Sequence, residues 1–251
     1  MSPLEFREAP VLDQREVAPN IFLLRVGGEF HALPGQFFLL RAWGLHPPLS
    51  RPMSVFDLSP GSLSFAYAVR GEGTRLLSRL RPGDIVQVLG PLGKGWSRAE
   101  GKVALVGGGM GLAPLLFTAK VFGRPLHIFL GFKGEPFLVE EFLPFGEVYV
   151  ATEKPGYPGA FLGLVTEAFE PRGYAAVYAC GPRPMLEALY EKCRAAGVPL
   201  HVSLEERLAC GIGACFGCTI FTKRGPVRLC REGPVFRADE VFDGARSFRG
   251  T

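Results

Sequence analysis

The sequence predicts a multi-domain chain of β plus α/β class: an antiparallel β-barrel, a Rossmann-like parallel-sheet domain, and a small metal-binding C-terminal domain. Three observations lead there. The first ninety-odd residues hold short strand patterns punctuated by Gly and Pro. From Gly101 the pattern changes to a continuous apolar strand, a glycine-rich turn and an apolar helix. Near the end, Cys210, Cys215 and Cys218 stand in C-x4-C-x2-C spacing, with Cys230 further on. The expected divisions are residues 1–99, 100–200 and 201–251, within the size that 251 residues allow for two domains and an appendage.

In the first region, Asn20–Val26, Pro34–Arg41, Leu63–Val69 and Asp84–Leu89 read as strands, the second entered through Pro34-Gly35 and the fourth following Arg81-Pro-Gly83. A short helix over Gly73–Leu80 interrupts them, with Thr74 placed to cap its start. Two pieces carry chemistry. Arg51-Pro-Met-Ser54 offers a guanidinium suited to bidentate pairing with a phosphate, and Gly71-Glu-Gly-Thr74 offers the N–H groups of a helix start. Each has a plainer reading, Arg51 as a surface cation and the glycines as a turn.

In the second region, Lys102–Val106 forms a buried strand that runs into Gly107-Gly-Gly-Met-Gly-Leu-Ala-Pro114 and the helix Leu115–Phe122. Strand, glycine turn and helix is the order that seats a dinucleotide pyrophosphate, although Pro114 stands where the last glycine of G-x-G-x-x-G would fall. A tight βα turn without ligand is the alternative. Strands follow at Leu126–Leu130, Glu147–Ala151 and Ala176–Cys180, the last entering Gly181-Pro-Arg-Pro-Met-Leu186 and a helix through Ala195. Strand ends face the crevice in such sheets, which directs Cys180 and Gly181 toward a bound nucleotide. Lys133, just past a strand, is placed either for a 2′-phosphate or as a solvated loop cation. His127 reads as a packed strand residue, and His31, His46 and His201 have no partners at metal spacing. Cys193 reads as inert. The sheet is expected to end at Ser203, and the residues from Asp239 onward to form a loosely held tail.

The cysteine segment is the most informative. C-x4-C-x2-C with one distant cysteine is the plant-type spacing for a 2Fe–2S cluster on four thiolates. The residues between the first two, Gly211-Ile-Gly-Ala214, are small or glycine, which lets backbone N–H groups approach sulfur. Structural zinc is the competing reading, though zinc knuckles favour separated C-x2–4-C pairs. It corresponds to a non-catalytic interaction module.

Composition narrows the class. Hydrophobic content of 47% and charged content of 21% suit a globular protein, and a scattered net charge of +4 supplies no basic face for nucleic acid. The longest apolar run, Val103–Phe117, is interrupted by glycines and too short to span a bilayer. The opening MSPLEFREAP lacks an apolar h-region, so no signal peptide is expected. Six cysteines without one predict a reducing cytoplasm.

The order Arg-Pro-x-Ser, Gly-x-Gly-Thr, Gly-Gly-Gly-x-Gly-x-x-Pro, Cys-Gly-Pro-x-Pro-Met resembles the ferredoxin-reductase superfamily, in which a flavin-binding barrel precedes a pyridine-nucleotide domain. Ser203–Cys218 together with Leu229–Phe236 is similar to the electron-transfer subunits of the two-component, NAD-dependent (type B) dihydroorotate dehydrogenases. The resemblance covers nearly the whole chain. The fifty-odd residues after the nucleotide domain are fewer than a complete plant-type ferredoxin domain requires.

The resemblance implies FAD, a 2Fe–2S cluster and NAD as cofactors. Arg51 would hold FAD phosphate, Pro52, Met53 and Ser54 would lie along the isoalloxazine with Ser54 near N5, and Ala66, Tyr67 and Ala68 would line the flavin. Gly73 and Thr74 would bind the pyrophosphate. Relatives often carry arginine after the strand tyrosine, where this chain has Ala68. Gly107, Gly108, Gly109, Gly111 and Pro114, with Cys180, Gly181, Pro182 and Met185, would hold NAD(H). Cys210, Cys215, Cys218 and Cys230 would ligate the cluster. No general acid or base is implied on this chain. The implied partner is an FMN-containing dihydroorotate dehydrogenase catalytic subunit, in a heterotetramer of two copies of each. In pyrimidine biosynthesis electrons would run from dihydroorotate through the partner's FMN, the cluster and FAD to NAD+. A flavin/iron–sulfur subunit of an NAD(P)H-linked sulfhydrogenase or ferredoxin:NADP oxidoreductase complex is the same-fold alternative.

Overall fold

Two seven-stranded sheets and one hairpin carry the chain in a computed structural model that describes residues 4–248. The first sheet contains β1 (Glu5–Ala18), β2 (Ile21–Gly27), β3 (Phe37–Arg41), β4 (Arg51–Ser54), β5 (Asp57–Ser59), β6 (Ser62–Ala68) and β7 (Ile85–Leu92), with α1 (Glu72–Leu77) between β6 and β7. Its order is β4-β3-β7-β1-β2-β6-β5, and every pairing is antiparallel. β1 changes partner midway: Glu5–Pro10 pairs with β7, and Val11 onward pairs with β2 across two bulges. Bulges bend a strand, and β4 also packs against β6, so the sheet curls into a half-barrel. Alternate residues point inward. Leu24, Val26, Phe38, Leu40, Leu63, Phe65, Val86 and Val88 fill the interior, with Phe38 edge-on to Phe65 at 6.0 Å. Burying each such large side chain contributes about 1.5–3 kcal/mol.

The second sheet contains β8 (Val103–Gly108), β9 (Leu126–Phe132), β10 (Gly146–Thr152), β11 (Phe161–Leu162), β12 (Ala176–Cys180) and β13 (Leu200–Ser203). Its helices are α2 (Leu112–Phe122), α3 (Val165–Ala168) and α4 (Arg183–Ala196). These six strands are parallel, in the order β11-β10-β9-β8-β12-β13. The chain leaves β8 in one direction for β9 and returns on the other side for β12. The crevice beyond the C-terminal ends of β8 and β12 is therefore the topological switch point, where such sheets bind ligands.

α2 is buried nearly all round because it lies between the two sheets. Phe117 reaches the barrel core, while Thr118 accepts from the Trp96 indole N–H at 2.8 Å and donates to the Pro114 carbonyl at 2.7 Å. α4 is amphipathic: Leu186, Leu189, Tyr190 and Cys193 bury one face at helical spacing.

The remaining elements are the hairpin β14 (Thr219–Thr222) and β15 (Gly225–Arg228), α5 (Leu229–Glu232), β16 (Val235–Arg237) and α6 (Ala238–Phe248). β16 pairs antiparallel with β13, so the sheet does not end at Ser203 as the sequence suggested. The expected tail from Asp239 is also corrected. Over Asp239–Phe248 it belongs to a helix whose Val241 and Phe242 are buried against α4, and whose Asp243 pairs with Lys223 at 2.8 Å. Residues 249–251 lie outside the described residues. Both corrections have one cause: the segment is held by non-local contacts that local pattern does not encode.

One continuous core joins the parts. Phe37, Leu39 and Leu92 of the half-barrel pack with Cys218, Leu229 and Cys230, and with Leu186, Leu189 and Phe242 of the second sheet's helices.

Candidate functional site

A cleft of about 250 Å³ opens between the half-barrel and the second sheet. β4 and β6 supply its first wall: Arg51, Pro52, Met53 and Ser54 from one, Ala66, Tyr67 and Ala68 from the other. The pairing of Phe37 with Ser54 and of Phe22 with Tyr67 sets these registers. Tyr67 is 3% exposed, its hydroxyl donates to Gln14 Oε1 at 3.3 Å, and burial raises it above the ordinary phenol range, so it stays neutral. Thr74 lines the cleft from α1. The helix begins at Gly71, and Thr74 Oγ1 reaches back to accept the N–H groups of Arg70 (2.9 Å) and Gly71 (3.1 Å). Thr74 therefore serves the helix start from its third position, not as the capping residue expected. Gly73 backs onto Arg51: a β-carbon there would lie 2.4 Å from Arg51 Nε.

Sequence reasoning missed the opposite wall. Met110 and Ala113 come from the turn after β8, Ser203 to Glu206 and Leu208 from the segment after β13, and Leu229 and Pro234 from beside α5. Arg70 also lines the cleft, two residues beyond the Ala68 position. Its signal was available, an arginine directly ahead of Gly71-Glu-Gly73.

The glycine turn and the Cys-Gly-Pro turn meet at the switch point. A β-carbon at Gly108 would lie 2.5 Å from Met185 Sδ, one at Gly111 2.1 Å from the Cys180 carbonyl, and one at Gly181 2.6 Å from Met185 Cε. Three expected glycines thus let the two turns close on each other, and Gly107 leaves the same kind of room for Leu115 and Leu130. Pro114 and Cys180 are buried. Burial raises the Cys180 thiol, and the nearby Glu205 carboxylate adds to that, so it stays protonated. Gly109 has no neighbour that a β-carbon would meet and faces open space. Gly181 and Pro182 line a second cleft of about 490 Å³ with Arg183, Thr219, Ile220 and Phe242. The two clefts share Leu204, Glu205 and Glu206.

The cysteines stand as two pairs. The Cys215 N–H points at Cys210 Sγ (3.4 Å), and the Cys230 N–H points at Cys218 Sγ (3.5 Å). The Gly217 N–H points at Cys215 Sγ (3.4 Å). Burial raises the Cys210 thiol, but N–H groups of Cys215, Ile212 and Ala214 outweigh it and bring the group down to about 6, into thiolate range at neutral pH. Burial and the adjacent Cys218 push Cys230 up to about 12. N–H donors aimed at sulfur, and thiols in two pairs, suit two irons with two thiolates each. Gly211 lets the loop lie on the half-barrel. Its φ of +70° is left-handed, and a β-carbon there would lie 2.7 Å from Leu39 Cδ1. Ile212 (44% exposed) and Phe216 (63% exposed) face outward beside exposed Cys215, while Cys218 and Cys230 are buried.

The remaining candidates separate from the site. His127 stacks on Tyr149, and His31 and His46 are exposed. His201 stacks on Tyr178 at 5.0 Å. Cys193 is buried in α4, and burial pushes its thiol up to about 12. Lys133 is exposed just past β9. Among the described residues no helix is long and apolar enough to cross a membrane.

Residues 205–242 match the family described as the iron-sulfur cluster binding domain of dihydroorotate dehydrogenase B. The chain is 45% identical to the dihydroorotate dehydrogenase B (NAD(+)) electron transfer subunit of Caldanaerobacter subterraneus subsp. tengcongensis, over 94% of this chain and 98% of that one. It is 41% identical to the same subunit of Clostridium acetobutylicum, over 92% and 95%. Among solved structures, it superposes on a chain of an NADH-dependent reduced ferredoxin-NADP oxidoreductase with a TM-score of 0.81 and 28% identity, over 96% of this chain and 91% of that one. A ferredoxin reductase in carbazole 1,9a-dioxygenase shares the fold with a TM-score of 0.69 at 22% identity, over 80% and 69%.

Proposed function

The chain belongs to the family of dihydroorotate dehydrogenase B (NAD(+)) electron transfer subunits, and from that membership we propose how its residues divide the work. The protein passes electrons between a dihydroorotate dehydrogenase catalytic subunit and NAD+ by way of a 2Fe–2S cluster and FAD, in pyrimidine biosynthesis. We read the partner as FMN-containing, the assembly as two copies of each subunit, and the location as the cytoplasm. The three divisions are 1–99 for FAD, 100–200 for NAD and 201–251 for the cluster.

The first cleft would take the flavin. Its floor of Pro52, Met53, Ala66 and Tyr67 suits a flat ring, Ser54 stands along the same wall, and Arg51 with the Gly73–Thr74 backbone would meet the phosphates. The nicotinamide nucleotide would lie across the switch point. Gly107 to Pro114 and Cys180 to Met185 would shape the turns there, and Gly181 and Pro182 open to the second cleft. Because Leu204, Glu205 and Glu206 border both clefts, a ring bound in the second would lie beside the first. FAD, when bound, exchanges two electrons as hydride with nicotinamide and single electrons with a cluster. Cys210, Cys215, Cys218 and Cys230 would hold that cluster.

One observation carries the reading: Leu229 lines the flavin cleft, and the next residue is the cluster ligand Cys230. The cleft wall and the cluster shell are thus consecutive residues of one helix, α5. The ferredoxin-NADP oxidoreductase likeness shows the same scaffold serving another partner, but the 41–45% identities assign this chain to the dihydroorotate dehydrogenase B family.

The test combines the purified chain with the FMN-containing subunit from the same organism. Dihydroorotate-dependent NAD+ reduction should require both chains. A catalytic subunit that reduces NAD+ equally well alone, or a pair that moves no electrons despite bound flavin and iron, would overturn the reading.

A further inference from the structure

We infer that Trp43 is a positioning residue for the flavin dinucleotide: its indole holds the Arg51 guanidinium in the one orientation that meets a phosphate at the cleft rim. The inference rests on the FAD reading above and concerns how the chain presents its cation.

Residues 42–50 connect β3 to β4. Trp43 is half-buried against the barrel core, and its Nε1–H donates to the Pro47 carbonyl at 2.7 Å, which sets the ring plane. The Arg51 guanidinium carbon lies 5.5 Å from the ring centroid. Gly73 also abuts it: even a β-carbon there would come within 2.6 Å of Arg51 Cζ. The guanidinium is therefore packed by an indole and by a stretch of bare backbone.

Its hydrogen bonds point the same way. One N–H of Arg51 donates to the Leu49 carbonyl. The rest of the donor fork has no acceptor among the described residues, and the side chain lines the first cleft. Arg41 provides the contrast. It also lies near the Trp43 ring, at 5.8 Å, but its guanidinium donates to the carbonyls of Trp43 (3.1 Å), Gly44 and Pro48 (2.8 Å). Of the two arginines that flank the indole, Arg41 builds the loop and Arg51 keeps its donors open.

A cation packed by two neighbours, in a side chain that lines a cleft and has donors left over, is pre-organised for an anion and loses little freedom on binding it. The indole face adds cation–π attraction. A leucine at position 43 would keep apolar contact with the core yet release the guanidinium.

The experiment titrates the FAD-free full-length chain with FAD and follows flavin binding by calorimetry. Trp43→Leu should weaken FAD binding about tenfold, whereas Trp43→Phe, which keeps a ring face, should stay within about threefold of wild type. In an Arg51→Gln background, adding Trp43→Leu should change affinity by less than about twofold, because the group being positioned is gone. Two results would each overturn the inference while leaving the FAD reading intact: wild-type affinity in Trp43→Leu, or a full tenfold loss that persists without Arg51. A wild-type chain that binds no FAD would sink both.

Discussion

Replacing Gly211 by alanine tests whether the cluster loop is held in place by the half-barrel. Gly211 has φ +70°, and an added methyl would lie 2.7 Å from Leu39 Cδ1 and 3.0 Å from Leu92 Cδ1, both in buried leucines. The left-handed backbone costs an L-residue about 1–2 kcal/mol. Overpacking a filled core adds about 1–3 kcal/mol. The sum, about 3 kcal/mol, raises the opening constant of the loop on the order of a hundredfold. Gly225 supplies the control: its φ is +95°, but among the described residues no atom beyond its chain neighbours lies within 4 Å of the position its β-carbon would take, so Gly225→Ala incurs only the backbone part. Hydrogen exchange of the amides over 210–218 in the cluster-loaded chain reads the difference directly. Gly211→Ala should lose protection there on the order of a hundredfold, while Gly225→Ala leaves those amides unchanged. NADH should still bleach the flavin in both variants, with cluster reduction slowed only in the first. Equal protection of 210–218 in the two variants would refute the docking argument.

Three further outcomes follow from other parts of the molecule. Cys215→Ser or Cys218→Ser should each remove most of the iron while flavin content and NADH-driven flavin bleaching persist, as iron and flavin assays would report. Tyr178→Phe should destabilise the chain by about 1–3 kcal/mol in urea unfolding. The lost hydroxyl accepts the Ala99 N–H (2.7 Å) and donates to the Ser97 carbonyl (2.8 Å) in a buried site. His201 titrates below its ordinary 6.5 because burial, then the Arg237 cation, disfavours its charged form. The folded chain therefore binds fewer protons than the unfolded one just below pH 6.5. Stability from this residue is complete above pH 6.5 and declines as pH falls through the folded-state value. His201→Gln should flatten that decline in melting curves taken across the interval.

The motifs legible in the sequence are those whose residues are neighbours in the chain. Arg51–Ser54 and Ala66–Ala68 both line the first cleft because each lies on one strand, so short patterns kept their meaning. Its far wall was not legible, since Met110, Leu204 to Glu206, Leu208, Leu229 and Pro234 arrive from three segments that only the topology brings together. β1 escaped notice for a different reason. Pro10 sits near its centre and cannot donate to a ladder; the strand survives by changing partners there, the Val11 N–H still bonding the Asp84 carbonyl beside β7 while Val11 begins the pairing with β2. Likewise α6 depends on Lys223 and Arg224 of the hairpin meeting Asp243 and Glu240, ion pairs between segments sixteen or more residues apart. Trp43 carries no motif at all. Its importance lies in which of two neighbouring arginines keeps most of its hydrogen-bond donors free.

The return of β16 beside β13 makes the cluster segment an interchangeable part. Ser203 and Val235 are direct cross-strand neighbours, and the Leu204 N–H bonds the Pro234 carbonyl at 2.9 Å. Everything from 205 to 233 is therefore, in wiring terms, an enlarged hairpin loop between two adjacent strands of the nucleotide sheet. A tight turn of a few residues would close the same gap and leave a reductase whose flavin alone divides electron pairs into single electrons. The cluster segment thus needs neither a separate domain nor a linker to be carried at the edge of the sheet.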